Sequence, residues 1–181
     1  MLEPLSQAMA GPARSTAPRG VTLLELSIVL VVLAVLAAVA VPSFSAAMDR
    51  GRLKSTAETL LADLTEARLK SAERGLALHW TGDAAAAGRW CYAIATRPDC
   101  GCAAGAPACP GERLHRVGGE QHPAVAVLEL RAIVFEPEGR AQPGGATLAT
   151  ARSEKLRVDT PSGGRSRICS PGGSVAGYPA C

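Results

Sequence analysis

The chain has 181 residues, which is enough for one folded domain and an appendage. Hydrophobic residues make up 48% of the chain and aromatic residues only 3%, and much of the apolar content lies in one early block. The formal net charge of +3 is too small to indicate a polyanionic partner by itself. After position 151, however, basic residues outnumber acidic ones, and they are Arg152, Lys155, Arg157, Arg165 and Arg167.

The first 45 residues have the pattern of a leader followed by a membrane-spanning helix. Residues 1–20 are rich in Ala, Pro and Ser and end in Gly20. An apolar stretch of 21 residues then begins at Val21 and reaches Pro42. About 20 apolar residues cross a bilayer as a helix, so residues 21–45 are predicted to do so. Pro42 is expected to kink this helix, because proline lacks the backbone donor and its ring clashes one turn back.

Glu25 is the exception within the apolar stretch. A carboxylate at such a position costs roughly 2.5–3.5 kcal/mol on insertion scales, so a plain membrane anchor has no reason to carry it. Cleavage after Gly20 would create a new α-amino group on Val21. We expect that amine, on a neighbouring subunit offset along a filament, to neutralise Glu25.

These residues resemble a known processing signal. Gly20, an apolar residue, Thr-Leu-Leu-Glu-Leu and an aliphatic run ending in Pro-Ser-Phe are similar to the class III signal of type IV pilins and type II secretion pseudopilins. The resemblance implies that a prepilin peptidase cuts between Gly20 and Val21 and that Val21 is then N-methylated. It places Glu25 at the family's acidic fifth mature position and Pro42 at its helix-kinking proline. The alternatives are an ordinary secretory signal cleaved near Ala38–Ala40, or a generic single-pass anchor.

The helix is predicted to continue beyond the membrane. From Ala46 to Arg74, apolar residues recur at helical spacing and charged residues take the other positions. Gly75 is a suitable C-terminal stop. One helix is therefore predicted from about Val21 to Arg74, and its amphipathic half (residues 46–75) is expected to pack under a folded head.

The head, residues 76–181, is predicted to be rich in β-structure. Short β-like segments separated by Gly and Pro indicate an antiparallel sheet. The expected strands are Leu76–Trp80, Arg89–Ala95, Val125–Phe135 (two strands or one bent strand), Ala146–Ala149, Leu156–Asp159, Arg165–Ser170 and a weak Ser174–Ala176. Thr81–Gly88 is expected to be a turn-rich insert, and Thr96–Pro123 a long irregular loop. The fold class is thus α+β and type IV pilin-like, with one long N-terminal helix, transmembrane in its first half, packed against a C-terminal antiparallel sheet.

The six cysteines indicate disulfides in an oxidising compartment, which for a bacterial membrane protein is the periplasm. Cys169 and Cys181 are the favoured pair, because a bond between them would restrain the C-terminus. The remaining four (Cys91, Cys100, Cys102 and Cys109) allow three arrangements, of which the one containing Cys100–Cys102 is least favoured. A zinc site is the alternative, but zinc ligands are more often separated by two to four residues.

The second half of the chain resembles a narrower family. The segments LLADLTEARLKSAERGLAL, FEPEGRAQPGG and LRVDTPSGGRSRIC, together with the terminal cysteine, are similar to the GspH/FimT group. The resemblance implies a minor pilin of a type IV pilus or a minor pseudopilin of type II secretion, which assembles with other pilins at or near the filament tip. It also implies a single-pass protein of the bacterial inner membrane with its head in the periplasm. The family elements Phe-x-Pro-x-Gly and Gly-Arg-x-Arg map onto Phe135, Pro137 and Gly139, and onto Gly164, Arg165 and Arg167.

The Gly-Arg-x-Arg element is the candidate binding site. If it lies on a strand, Arg165 and Arg167 point to one face, and Arg152, Lys155 and Arg157 would extend a basic strip. Such a strip would bind the phosphates of double-stranded DNA without regard to sequence. In FimT-like minor pilins, a Gly-Arg-x-Arg element is associated with DNA capture. The alternative is a solvated strand face paired with Glu154 or Asp159.

No constellation in the sequence indicates an enzyme. There is no Walker loop, no Ser/His/Asp set and no pair of carboxylates in a catalytic context. The histidines (His79, His115 and His122) lack the spacing of metal ligands. The sequence therefore predicts a structural assembly protein without cofactor or metal.

Overall fold

A computed structural model describes residues 20–84, 89–102, 109 and 111–181. The chain divides into two compact units, Met1–Val41 and Pro42–Cys181. Helix α1 runs from Leu23 to Arg74 and contributes to both. In the first unit, the described residues are all exposed. Among the described residues, α1 is the one helix that is long and apolar enough to cross a membrane. A signal sequence near the N-terminus meets the same criteria of length and composition.

The second half of α1 is amphipathic, as predicted. Its buried side chains recur every three or four residues along one face, at Leu53, Ala57, Leu60, Leu64 and Ala67. The helix ends at Arg74 because Gly75 adopts a left-handed φ of 64°. The Leu76 N–H then bonds to the Ser71 carbonyl at 3.3 Å. This ending confirms the prediction from the sequence, and the helix begins two residues later than predicted.

The head contains two antiparallel sheets where one was expected. The first has five strands in the order β3-β2-β1-β5-β6, and the second has four in the order β4-β7-β8-β9. Their bounds are β1 Leu78–Ala84, β2 Trp90–Ala95, β3 Arg113–Gly118, β4 Val125–Arg131, β5 Ile133–Phe135, β6 Ala141–Gln142, β7 Gly144–Thr150, β8 Lys155–Thr160 and β9 Arg167–Cys169.

One stretch of chain serves both sheets. Residues 125–135 form β4, which pairs with β7, and then β5, which pairs with β1. Ala132 separates the two strands. The stretch anticipated as two strands or one bent strand is therefore two strands, and it divides the expected single sheet in two.

Two expected irregular segments contain strands. In the supposed turn-rich insert, Thr81–Ala84 extend β1, because Asp83 pairs with Cys91 and Ala84 with Trp90 across the ladder. Residues 85–88 of that insert lie outside the described part. In the supposed loop Thr96–Pro123, β3 pairs with β2. The sequence did not indicate β3 because its middle is charged and exposed.

The end of the chain has less strand than predicted. Strand β9 covers only Arg167–Cys169, and the expected weak strand at Ser174–Ala176 is absent from the described structure. A 3₁₀ turn, Pro171–Gly173, follows instead. The buried Val175 N–H donates to Ser170 Oγ at 3.0 Å, so the side chain of Ser170 satisfies a group that a strand would have paired.

Both sheets and the second half of α1 share one hydrophobic core. Trp80, Ile133 and Phe135 come from the first sheet, and Leu148 and Leu156 from the second, and all are buried. Three disulfides complete the head. They join Cys169 to Cys181, the favoured pair, Cys91 to Cys102 and Cys100 to Cys109.

Candidate functional site

The start of α1 presents the predicted processing and assembly residues. Gly20 and Val21 precede the helix and are exposed. Thr22 caps the first turn, because its Oγ1 accepts the Glu25 N–H at 3.2 Å and its carbonyl accepts the Leu26 N–H at 3.1 Å. The Glu25 carboxylate forms no ion pair with any of the described residues, and it lies in the turn where a negative charge suits the helix dipole.

Pro42 lies inside α1, and the helix continues on both sides of it. Because proline has no N–H, the carbonyl one turn earlier loses its usual donor. Ser45 Oγ donates to the Pro42 carbonyl at 3.4 Å. The kink at this proline remains a prediction.

Three of the candidate basic residues (Lys155, Arg157 and Arg167) share the outer face of the second sheet. Arg157 pairs with Cys169 across the β8–β9 ladder, and Asp159 pairs with Arg167, so Arg157 and Arg167 project to the same side. Arg167 Nε lies 3.1 Å from Asp159 Oδ2, although the arginine side chain remains 70% exposed. The arginines of this face are thus held beside acidic residues of the same face.

Arg157 is held by a different set of contacts. Its Nε donates to Thr147 Oγ1 at 3.2 Å. Its Nη2 lies 3.8 Å from Glu129 Oε2, which is beyond hydrogen-bond distance. The guanidinium is therefore hydrogen-bonded at Nε, while its Nη2 lies near Glu129 without a hydrogen bond to it.

The structure does not bring the other candidate residues together as a strip. Gly164 turns the chain with a φ of 72°, and β9 begins only at Arg167. Arg165 therefore lies before the strand and does not share it with Arg167. Arg152 is bound to α1 instead, where its Nη2 donates to Ser45 Oγ at 2.7 Å and its Nε lies 3.7 Å from Asp49 Oδ2.

Lys155 lies on β8 two residues before Arg157, so it projects to the same face, and it is half-buried. Of the two acidic partners expected for the basic residues, Asp159 pairs with Arg167. Glu154 pairs with Arg50 on α1, at 2.5 Å.

Arg131 is a basic residue of this face that the sequence did not indicate. Its Nε and Nη2 lie 2.8 and 2.7 Å from Glu129 Oε1. Arg131 pairs with Gly145 on β7, and Gly145 pairs with Asp159 on β8. Alternation along β4 predicts that Glu129 and Arg131 share a face, but the residues that face them across the sheet cannot be read from spacing.

Comparison with protein families identifies the chain. The model for type II transport protein GspH matches residues 56–173, about two thirds of the sequence. The chain belongs to the GspH family. The model for the prokaryotic N-terminal methylation motif matches residues 16–41, a range that includes Gly20, Val21 and Glu25. The GspH-family chain is therefore a pilin-like or pseudopilin-like subunit with a methylation motif, as the sequence predicted.

The GspH-family chain is also similar in structure to the type IV minor pilin FimU of Pseudomonas aeruginosa. In one crystal form, FimU has 17% sequence identity to this chain and a TM-score of 0.48, and the match covers 67% of this chain and 94% of the FimU chain. A second crystal form is 16% identical, with a TM-score of 0.46, and covers 66% and 97%. The curated proteins contain no match to this sequence.

The cysteine-rich part of the GspH-family head does not fit the zinc alternative. Cys100, Cys109 and Glu112 lie close enough to share an ion. However, Cys100 and Cys109 are bonded to each other, and zinc binds thiolates, which a disulfide lacks. These sulfurs therefore restrain the head and do not form a metal site.

A polar cluster of the buried Tyr92, the half-buried Asp63 and the exposed His115 connects α1 to the first sheet. Tyr92 OH donates to Asp63 Oδ2 at 2.5 Å, and His115 Nε2 lies 3.1 Å from the same oxygen. Burial, and then the bond to Asp63, raise the pKa of Tyr92. We assign the cluster of Tyr92, Asp63 and His115 a structural role, because its groups bond to one another.

Two histidines outside this cluster have pKa values below the ordinary range. Burial lowers the pKa of His79, and it lowers the pKa of His122 despite the charge of Asp63.

Proposed function

We propose that the chain is a minor pilin or pseudopilin whose mature form begins with an N-methylated Val21 after a prepilin peptidase cuts at Gly20. The mature chain is anchored in the inner membrane by residues 21–45, with residues 76–181 in the periplasm. It assembles with other pilins at or near the tip of a type IV pilus or type II secretion pseudopilus. The methylation motif and the family membership support this proposal.

The observation that carries the proposal is the unpaired carboxylate of Glu25. It lies one turn from Val21, in an apolar helix, without an ion pair among the described residues. A charge in such surroundings is costly unless an opposite charge is near. The free amine that processing creates on Val21 supplies that charge, and a neighbouring subunit in a filament brings it within reach.

Mass spectrometry of the protein purified from membranes tests processing directly. We expect the first residue to be Val21, carrying one added methyl group, when the peptidase is present, and the intact leader when the peptidase gene is deleted. A mature chain that starts elsewhere, for example at Val41 after ordinary signal cleavage, would contradict the proposal.

Exchange of the acid tests assembly separately from processing. Glu25→Gln should be cleaved normally but should fail to enter filaments, because the amide does not neutralise the amine. Glu73→Gln, at an exposed glutamate near the end of α1, is the matched control and should assemble normally. Normal incorporation of Glu25→Gln would overturn the electrostatic explanation.

The position in the filament and the system served need their own measurements. Quantitative mass spectrometry of sheared filaments should find this subunit at a small fraction of the major subunit, as the family resemblance implies. Deletion of the gene should impair either pilus-dependent motility or protein secretion. The phenotype distinguishes the type IV pilus from type II secretion.

A second candidate function is the binding of double-stranded DNA through Arg165 and Arg167. Arg165 favours it, because this exposed side chain makes no hydrogen bond or ion pair within the described residues. Arg167 would have to leave Asp159 to bind a phosphate. Any affinity should therefore be modest, and it should fall as the salt concentration rises.

The double substitution Arg165→Gln/Arg167→Gln tests this function in the full chain in detergent. Fluorescence anisotropy with labelled duplex DNA should show a loss of binding, while assembly is retained. Arg140→Gln is the control, since Arg140 is also exposed and paired with an acid, Glu136. Equal DNA binding by the double variant and the parent protein would exclude these arginines as the site.

A further inference from the structure

The outer face of the second sheet contains a cleft of about 340 Å³, hereafter the sheet cleft. It lies around Gly145, whose neighbours across the ladders are Arg131 and Asp159. Because Gly145 has no side chain, the space between the side chains of Arg131 and Asp159 is left open. The lining also includes Glu129 and Arg157. The cleft is therefore a concave site with charged walls and a backbone floor.

Arg157 offers the sheet cleft a preorganised donor pair. The bond from its Nε to Thr147 Oγ1 fixes the plane of the guanidinium. The two terminal nitrogens make no hydrogen bond with any described residue, and the nearest carboxylate oxygen is 3.8 Å from Nη2. Such a fork matches the two oxygens of a carboxylate or phosphate.

Glu129 demonstrates that a carboxylate fits between the two guanidinium groups of the cleft. One of its oxygens accepts from Arg131, and the other points towards Arg157 without reaching it. Asp159 is already engaged by Arg167. The arginines of this face thus outnumber its carboxylates, and the donors of Arg157 are the ones that remain open.

We propose that the sheet cleft binds the carboxylate side chain of an acidic peptide segment on a partner protein, with Arg157 as the principal contact. The cleft has the size of a small ligand pocket, which suits one or two side chains. Duplex DNA is disfavoured here, because Glu129 and Asp159 would repel phosphates that the duplex holds at a fixed close spacing. A flexible peptide can instead place one carboxylate on Arg157 and turn its other acidic side chains to solvent. This inference concerns the head and goes beyond assembly through α1.

The test uses the full chain in detergent micelles and a fluorescein-labelled peptide, Gly-Asp-Glu-Asp-Gly. Its amide counterpart, Gly-Asn-Gln-Asn-Gly, measures binding that does not require carboxylates. Arg157→Gln should weaken binding of the acidic peptide about tenfold, the scale of one charge-assisted bidentate contact. Arg140→Gln, at an exposed arginine that does not line the sheet cleft, should leave the affinity unchanged.

Glu129→Gln gives a result that misfolding cannot imitate. Removal of the competing carboxylate should tighten binding of the acidic peptide, since both guanidinium groups then become available. Equal affinity for the acidic and amide peptides, or an unchanged affinity in Arg157→Gln, would overturn the proposal. So would a short DNA duplex that binds through Arg157 while the peptide does not, because the ligand would then be nucleic acid.

Discussion

Gly164 lies directly against the carbonyl of Gly139. A Cβ placed on Gly164 would come within 2.3 Å of the Gly139 oxygen, and the φ of Gly164 is 72°. Arg68 on α1 donates from Nε to the same oxygen at 3.2 Å. The glycine of the Gly-Arg-x-Arg element is therefore required by packing between two turns and the helix, whereas its arginines lie on the surface.

Gly164→Ala should destabilise the head. The left-handed conformation alone costs a residue with a side chain about 1–3 kcal/mol, and the new methyl group would also displace the Gly139 carbonyl. The measurement is urea unfolding of the full chain in detergent. Gly163→Ala is the matched control, because a Cβ there meets open space. Equal unfolding midpoints for the two variants would contradict this interpretation.

The two tyrosines should titrate well above their ordinary range. Burial, and then the bond to Asp63, raise the pKa of Tyr92. Burial, and then the bond to Glu58, raise the pKa of Tyr178 to about 12. Since the chain has only 2 tyrosines, the absorbance of tyrosinate reports both. We expect little tyrosinate in the folded protein at pH values near the ordinary pKa of about 10.

The same shifts set the direction of stability at alkaline pH. Below the unfolded pKa of about 10, both tyrosines are protonated whether the chain is folded or not. Above it, the unfolded chain releases protons that the folded chain retains, so the free energy of unfolding should fall. Tyr92→Phe should reduce this slope. A slope that is unchanged in Tyr92→Phe would mean that another group is responsible.

The disulfide between Cys169 and Cys181 should stabilise the end of the chain. A loop of this length contributes roughly 3 kcal/mol in the chain-entropy model. Replacement of both cysteines by Ser should lower the unfolding free energy and expose the C-terminus to carboxypeptidase. The tail should not be released entirely, because Tyr178 OH bonds to Glu58 Oε1 at 2.7 Å and Lys54 Nζ to the Ala176 carbonyl at 3.0 Å. Unaltered stability and protease resistance would show that these contacts suffice alone.

The sequence predicted the parts of the fold that depend on local patterns. The apolar run after Gly20, the amphipathic continuation of α1 and the stop at Gly75 are all set by neighbours within a few residues. Strand β3 escaped prediction because its exposed middle, His115 and Arg116, hides the alternation that a buried strand shows. No local signal at Ala132 indicated that one apolar stretch would pass from one sheet to another.

The candidate site was less predictable, because its geometry comes from contacts between distant parts of the chain. Arg152 belongs to the same run of basic residues as Arg157, yet it binds Asp49 and Ser45 on α1. Arg131 joins the basic face only through the ladders of β4, β7 and β8. Proximity in sequence therefore led us to include Arg152 in the basic strip and to leave out Arg131.

The passage of residues 125–135 from the second sheet to the first has a mechanical consequence. A slip of one residue in β4 would drag β5 by the same step, and the buried Ile133 and Phe135 would then turn outwards. A displacement of one sheet would therefore be transmitted to the other through Ala132. A load applied to the head should therefore break both sheets together, as a single yielding event.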